Sequence, residues 1–137
     1  MSEHNCEALV IACIDFRLID NTNKWLTDLG LEKKYDFLGV GGASKQLASP
    51  DKPEYKELLL ENIKISVNLH NISKIYIIHH EDCGAYGGKK AFENSEKERE
   101  FQINEMKKSQ EIIKYLYPEL EIIKIYEKLD GSMEVAM

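Results

Sequence analysis

Ala8-Leu9-Val10-Ile11-Ala12-Cys13-Ile14 is an unbroken apolar run that stops at Asp15. Such a run, with no polar alternation, predicts a strand buried on both faces. Strands of this kind sit inside sheets that helices cover from both sides, so helical segments are expected between further strands. The chain alternates in that way. Asn21 to Leu29 reads as a short helix with Trp25, Leu26 and Leu29 on its apolar side and Gly30 as its stop. Tyr35 to Val40 reads as a second strand, closed by the turn signal Gly41-Gly42.

Ser49-Pro50-Asp51-Lys52-Pro53 marks a helix entry, and Tyr55, Leu59, Ile63 and Val67 follow at four-residue steps as a core-facing stripe. Lys74 to His80 is a third buried strand. Ser95 with Glu98 forms a capping-box pattern that opens a long helix, which presents Met106, Ile113 and Leu116 and stops at Pro118. Glu121 to Leu129 is a fourth strand, and Asp130-Gly131 turns Met133 to Val135 back on it. The expected fold is therefore α/β: a mainly parallel, Rossmann-like, four-stranded sheet of order 2-1-3-4, flanked by helices, with a C-terminal hairpin. Residues 1–137 are expected to form a single domain, with Gly87 to Arg99 as a polar, mobile loop.

Composition narrows the function. A formal net charge of −6 argues against a broad nucleic-acid surface. The apolar run at Ala8 is too short to span a bilayer, and Met1 to Glu7 does not resemble a secretory signal, so a cytoplasmic protein without a membrane partner is expected. Three cysteines in a reducing compartment favour thiol or metal chemistry over disulfides.

In open parallel sheets, ligands bind beyond the C-terminal ends of the strands. Two segments fall there: Cys13-Ile14-Asp15-Phe16-Arg17 and His80-Glu81-Asp82-Cys83-Gly84. Two thiolates and an imidazole suit zinc, and three protein ligands leave a fourth position open, as a catalytic site requires. An Arg fork can hold a carboxylate bidentately and keep it ionised.

The pattern Cys-x-Asp-x-Arg followed by His-x-x-Cys-Gly resembles the signature of the beta-class carbonic anhydrases. The resemblance covers roughly residues 8–135 and includes the approach to the His motif, Cys83-Gly84-Ala85, and Ile125-Tyr126-Glu127 with Gly131. It implies Zn2+ on Cys13, His80 and Cys83, and an Asp15–Arg17 dyad that orients a zinc-bound hydroxide toward carbon dioxide, giving bicarbonate reversibly. It also implies a homodimer or higher homo-oligomer. In some family members the Asp swings onto zinc and shuts the site.

The chain departs from the family pattern in three places. The given sequence begins almost directly at the first strand, where the family usually has an N-terminal helical arm. Val40-Gly41-Gly42-Ala43-Ser44-Lys45 replaces an Arg-Asn-Ala-Gly-Asn-like segment, and His79 stands where the family usually has Gly. Carbonyl sulfide or carbon disulfide hydrolysis, or a non-catalytic zinc-binding regulatory domain, are the alternative functions.

Among the remaining candidates, strand alternation turns His79 away from the metal and against a helix, with a proton-shuttling role as the alternative. Cys6 reads as an incidental thiol near a loose terminus, and His4 and His70 as surface residues. Tyr86, Lys89 and Lys90 read as a solvated loop, with the pocket rim as the alternative.

Overall fold

The computed structural model describes residues 4–137. Five strands form one sheet in the order β2-β1-β3-β4-β5: β1 (Ala8–Ala12), β2 (Tyr35–Gly39), β3 (Lys74–His80), β4 (Glu121–Glu127) and β5 (Met133–Ala136). The first four are parallel in the expected order 2-1-3-4. The hairpin at Asp130-Gly131 adds β5 as a fifth, antiparallel strand rather than a mere appendage, pairing Glu127 with Met133.

Helices α1 (Ile19–Asp28), α2 (Lys45–Ala48), α3 (Pro53–His70) and α4 (Ser95–Leu116) connect the parallel strands. Pleat alternation divides the core in two. Leu9, Ile11, Ile75 and Ile77 pack with Leu47, Leu59, Ile63, Met106 and Ile113 from α2, α3 and α4. Val10, Ala12, Tyr76, Ile78 and Ile125 pack on the other face with Leu26 of α1. Each fully buried Leu or Ile contributes about 1.5–3 kcal/mol. The central strands β1 and β3, covered on both faces, therefore form the most fixed part of the molecule.

Several helix details differ from the sequence reading. Asn94, not Ser95, caps α4: its side chain accepts from the Lys97 amide at 2.9 Å. Glu98 is thereby released from a capping box and is buried against the site. Leu29, Tyr55 and Leu116 lie at helix ends and are exposed rather than packed in the core. Gly87 to Arg99 is not a loop throughout. It contains a short 3-10 turn at Lys89–Ala91 and the first turn of α4, held by the Asn94 cap.

Candidate metal centre

Cys13 is the first residue past β1, and His80 is the last residue of the adjacent strand β3. Asp82 then turns the chain with φ 61°, a left-handed conformation that Asp tolerates better than most residues, and Cys83 comes back to the same strand ends. One ligand atom from each of Cys13, His80 and Cys83 lies within 4.8 Å of the other two. The structure thus brings together the three donors picked from sequence.

The imidazole is oriented for a cation. Nδ1 of His80 lies 2.7 Å from the Glu81 carbonyl and donates to it, which leaves Nε2 as the basic ring nitrogen. That nitrogen is buried without a hydrogen-bond partner. An unsatisfied buried polar atom costs about 1–3 kcal/mol, and a ligand Nε2 whose Nδ1 is fixed by a carbonyl is the usual arrangement at metal sites. The thiols are prepared as well. A hydrogen bond from Cys83 holds the Cys13 thiol below the ordinary range, helped by the Gly42 and Asp15 amides. The shared proton raises Cys83 in turn, against the Ala85 and Tyr86 amides, which favour its thiolate. The donor set fits zinc.

Beside the donors, Arg17 grips Asp15 with both arms. Nη2 donates to Oδ2 at 2.7 Å and Nε donates to Oδ1 at 3.1 Å. This fork lowers the carboxyl to about 2. Oδ2 stands 3.9 Å from His80 Nε2, so the ionised carboxylate borders the donor cluster.

Two carboxylates missed in the sequence complete the arrangement. Asp82 accepts from Arg17 Nη1 at 3.0 Å, and its backbone carbonyl accepts from Nη2 at 3.1 Å. Arg17 is therefore clamped from two sides. Buried Glu98, reaching in from α4, accepts from the Asp82 amide at 2.7 Å. The signal for Asp82 was the Arg fork itself: five donors are more than one carboxylate can use. Glu98 carried a signal only for capping, so its inward role was not legible.

The departures from the family pattern meet one another. His79 is fully buried, with Nε2 2.7 Å from Ser44 Oγ and Nδ1 2.7 Å from Gln102 Oε1 on α4. The ring packs against a helix, as strand alternation predicts, and burial lowers its pKa to about 4. The altered turn is packed, not loose. Gly42 has φ +82°, and a Cβ there would meet Ala85 Cβ at 3.0 Å. Tyr86 is not solvated: it is half-buried, stacks near His79 and Phe101, and donates to Glu105 at 2.8 Å. Lys89 pairs with Glu81 at 3.0 Å, while Lys90 lines an open cavity of about 590 Å³ with Asp15, Arg17 and Asp82.

A mainly parallel α/β sheet with a Cys–His–Cys group at its strand ends that could hold a metal ion defines the class of fold and candidate site. Comparison with known proteins then gives the family. Residues 3–137 match the family model described as "Putative carbonic anhydrase", and the chain belongs to that family. It is 34% identical over 134 residues to an uncharacterized protein of Rickettsia bellii (strain RML369-C), covering 96% of this chain and 82% of the relative.

Among solved structures, the fold is similar to the beta-carbonic anhydrase CafA of Aspergillus fumigatus. The TM-score is 0.69 at 14% identity, covering 96% of this chain and 76% of that one. It is also similar to one of two tetrameric beta-carbonic anhydrases from Sordaria macrospora. There the TM-score is 0.66 at 14% identity, covering 95% and 80%. No helix among the described residues is long and apolar enough to cross a membrane.

Proposed function

We propose that residues 1–137 act as one zinc domain that hydrates carbon dioxide reversibly to bicarbonate and a proton. The observation that carries this reading is the Arg17 fork on Asp15, 3.9 Å from His80 Nε2. A purely structural metal site has no use for an ionised carboxylate held at its margin. In this reading Cys13, His80 and Cys83 hold zinc, which when bound supplies a nucleophilic oxygen at neutral pH by acidifying water.

The remaining chemistry belongs to side chains. Asp15, locked as a carboxylate, would accept a hydrogen bond from the attacking oxygen and so turn that oxygen's lone pair toward carbon dioxide. Arg17 keeps Asp15 from swinging inward and keeps it ionised, and Asp82 keeps Arg17 from leaving. The open cavity bordered by Gly84, Gly87 and Gly88 admits a small linear substrate and releases bicarbonate.

Stopped-flow carbon dioxide hydration across pH, on metal-analysed protein, tests the reading. Turnover proportional to bound zinc is expected. Zinc-loaded protein that is inert toward carbon dioxide but hydrolyses carbon disulfide or carbonyl sulfide would replace the substrate. Inertness toward all three would leave a non-catalytic zinc domain.

The same reading includes a homo-oligomer. β2 is an edge strand, and Phe37 on it and Leu58, Ile65 and Leu69 on α3 are 49%, 65%, 43% and 63% exposed. A mainly apolar cavity of about 360 Å³ between Leu38, Val40, Tyr55 and Leu58 continues that face. An unpaired strand edge beside large exposed apolar residues suits a second copy of the chain. Light scattering should give a dimer or dimer of dimers, and Leu58→Asp should lower the mass. A fully active wild-type monomer at working concentration would reject the assembly.

A further inference from the structure

The opposite end of the sheet carries a second mixed donor set. Cys6 lies just before β1, Asp36 is the second residue of β2, and His70 ends α3. One ligand atom from each lies within 4.8 Å of the other two. At ~3.3 Å per strand residue, the cluster sits on the order of 20 Å from Cys13. None of the three is part of the site proposed for carbon dioxide. Cys6 and His70 also depart from their sequence reading: both are half-buried and joined, with the Cys6 amide donating to the His70 carbonyl at 2.9 Å.

Three features mark the cluster as more than an ion pair. The donors are sulfur, nitrogen and carboxylate oxygen, a combination that suits a borderline-soft divalent ion. Asp36 Oδ2 is oriented by Ser66 Oγ at 2.6 Å, the kind of outer support that ligating carboxylates receive. A cavity of about 230 Å³ lined by Asp36, Ser66 and His70 opens beside them, giving an ion and its water a way in. The His4 ring stands edge-on to the His70 ring, with centroids 6.4 Å apart, on the segment that leads to Cys6.

We propose that Cys6, Asp36 and His70 form a second, structural binding site for a zinc-type divalent cation. The cation would fasten the segment before β1 to β2 and to the end of α3, three pieces otherwise joined here by a few hydrogen bonds. His70 Nδ1 now lies 2.6 Å from Asp36 Oδ2. Donors on a tetrahedral zinc are about 3.3 Å apart or more, so this contact opens when the ion enters. The Cys6 thiol, raised by burial and by the Asp36 charge, becomes a thiolate ligand because the ion reverses the sign of the local field. Water from the cavity, or His4, completes the shell.

The test is a Zn2+ titration of the full-length, assembled protein that already holds its first equivalent, followed by calorimetry and thermal midpoint. Wild type should take a second equivalent and gain thermal stability with it. In Cys6→Ser/His70→Gln the second equivalent should weaken by about 100-fold or more, beyond the range that losing a supporting partner costs. The first equivalent and carbon dioxide hydration should be unchanged. Adding Co2+ to zinc-loaded wild type should give a sulfur-to-cobalt charge-transfer band that Cys6→Ser, a near-isosteric change, abolishes. The Co2+ arm carries the test if the double variant fails to fold. A wild type that takes no second equivalent at millimolar Zn2+ overturns the site. So does a second equivalent, or a cobalt band, that survives loss of Cys6. Because the readouts are stoichiometry and spectrum, they stand or fall separately from carbon dioxide hydration.

Discussion

Asp15→Asn is expected to retain its zinc and lose carbon dioxide hydration by about 100-fold or more, the usual cost of removing one well-placed electrostatic partner. Asn preserves the size of the side chain and removes its charge. Its amide would also present N–H donors toward the attacking oxygen, where the carboxylate presents only acceptors. Arg17→Lys should be damaging for a related reason. The fork spans both Asp15 oxygens, at 2.7 and 3.1 Å, while also reaching Asp82 at 3.0 Å, and a single ammonium cannot span three such points. Zinc content, thermal midpoint and hydration rate are to be measured on the same samples. If the pair were only a strand-end tie, both variants would lose stability while activity per zinc stayed near wild type. Survival of that activity in Asp15→Asn would remove the dyad from the mechanism.

Much of this site was legible because the chemistry lies at strand ends. Unbroken apolar runs located β1 and β3, and polar residues just beyond them had to project from the C-terminal edge of the sheet. That places Cys13 and His80 at the C-terminal ends of β1 and β3, which the structure shows to be adjacent. Period-two alternation likewise sent His79 to the α4 face, where it meets Gln102. The parallel pairing of the first four strands followed from the connections, since each stretch between them is long enough for a crossover.

What was not legible depends on side chains from distant segments meeting. Nothing local in Cys6 signals that Asp36 and His70 will stand beside it, because these three come from a leading segment, an edge strand and a helix terminus. Ser44 and His79 each look like a loss relative to the family pattern when read singly. Together they form a buried pair that also engages Gln102 and, through Ser44, Ser109 at 2.7 Å. Glu98 was misread because a local rule for helix starts competed with a tertiary contact, and the Asp82 amide won. Local patterns specify elements well, whereas hydrogen-bond partners across the fold are set by packing.

Cys83→Ser is expected to abolish tight zinc binding at the strand-end site and, with it, hydration. Cys83 is only 3% exposed, so the substitution leaves a hydroxyl, a far weaker zinc donor than a thiolate, in a closed position that solvent cannot remodel. Cys13 then loses the neighbour whose hydrogen bond favours its own thiolate. His80 Nε2 keeps no partner in compensation. Structural zinc in small domains is held by about 10–16 kcal/mol, free energy that is coupled directly to folding, so a fall in thermal midpoint should accompany metal loss. The measurement is best made in a Cys6→Ser background, where a second cation cannot mask the first. There, zinc after dialysis should drop from about one per chain to near zero. Wild-type affinity should also fall as pH is lowered, because protons compete for both thiols and for His80, and the serine variant should lose part of that dependence. Full zinc occupancy in a Cys6→Ser/Cys13→Ser/Cys83→Ser chain would show that the metal is held elsewhere, and the Cys13–His80–Cys83 assignment would then fail.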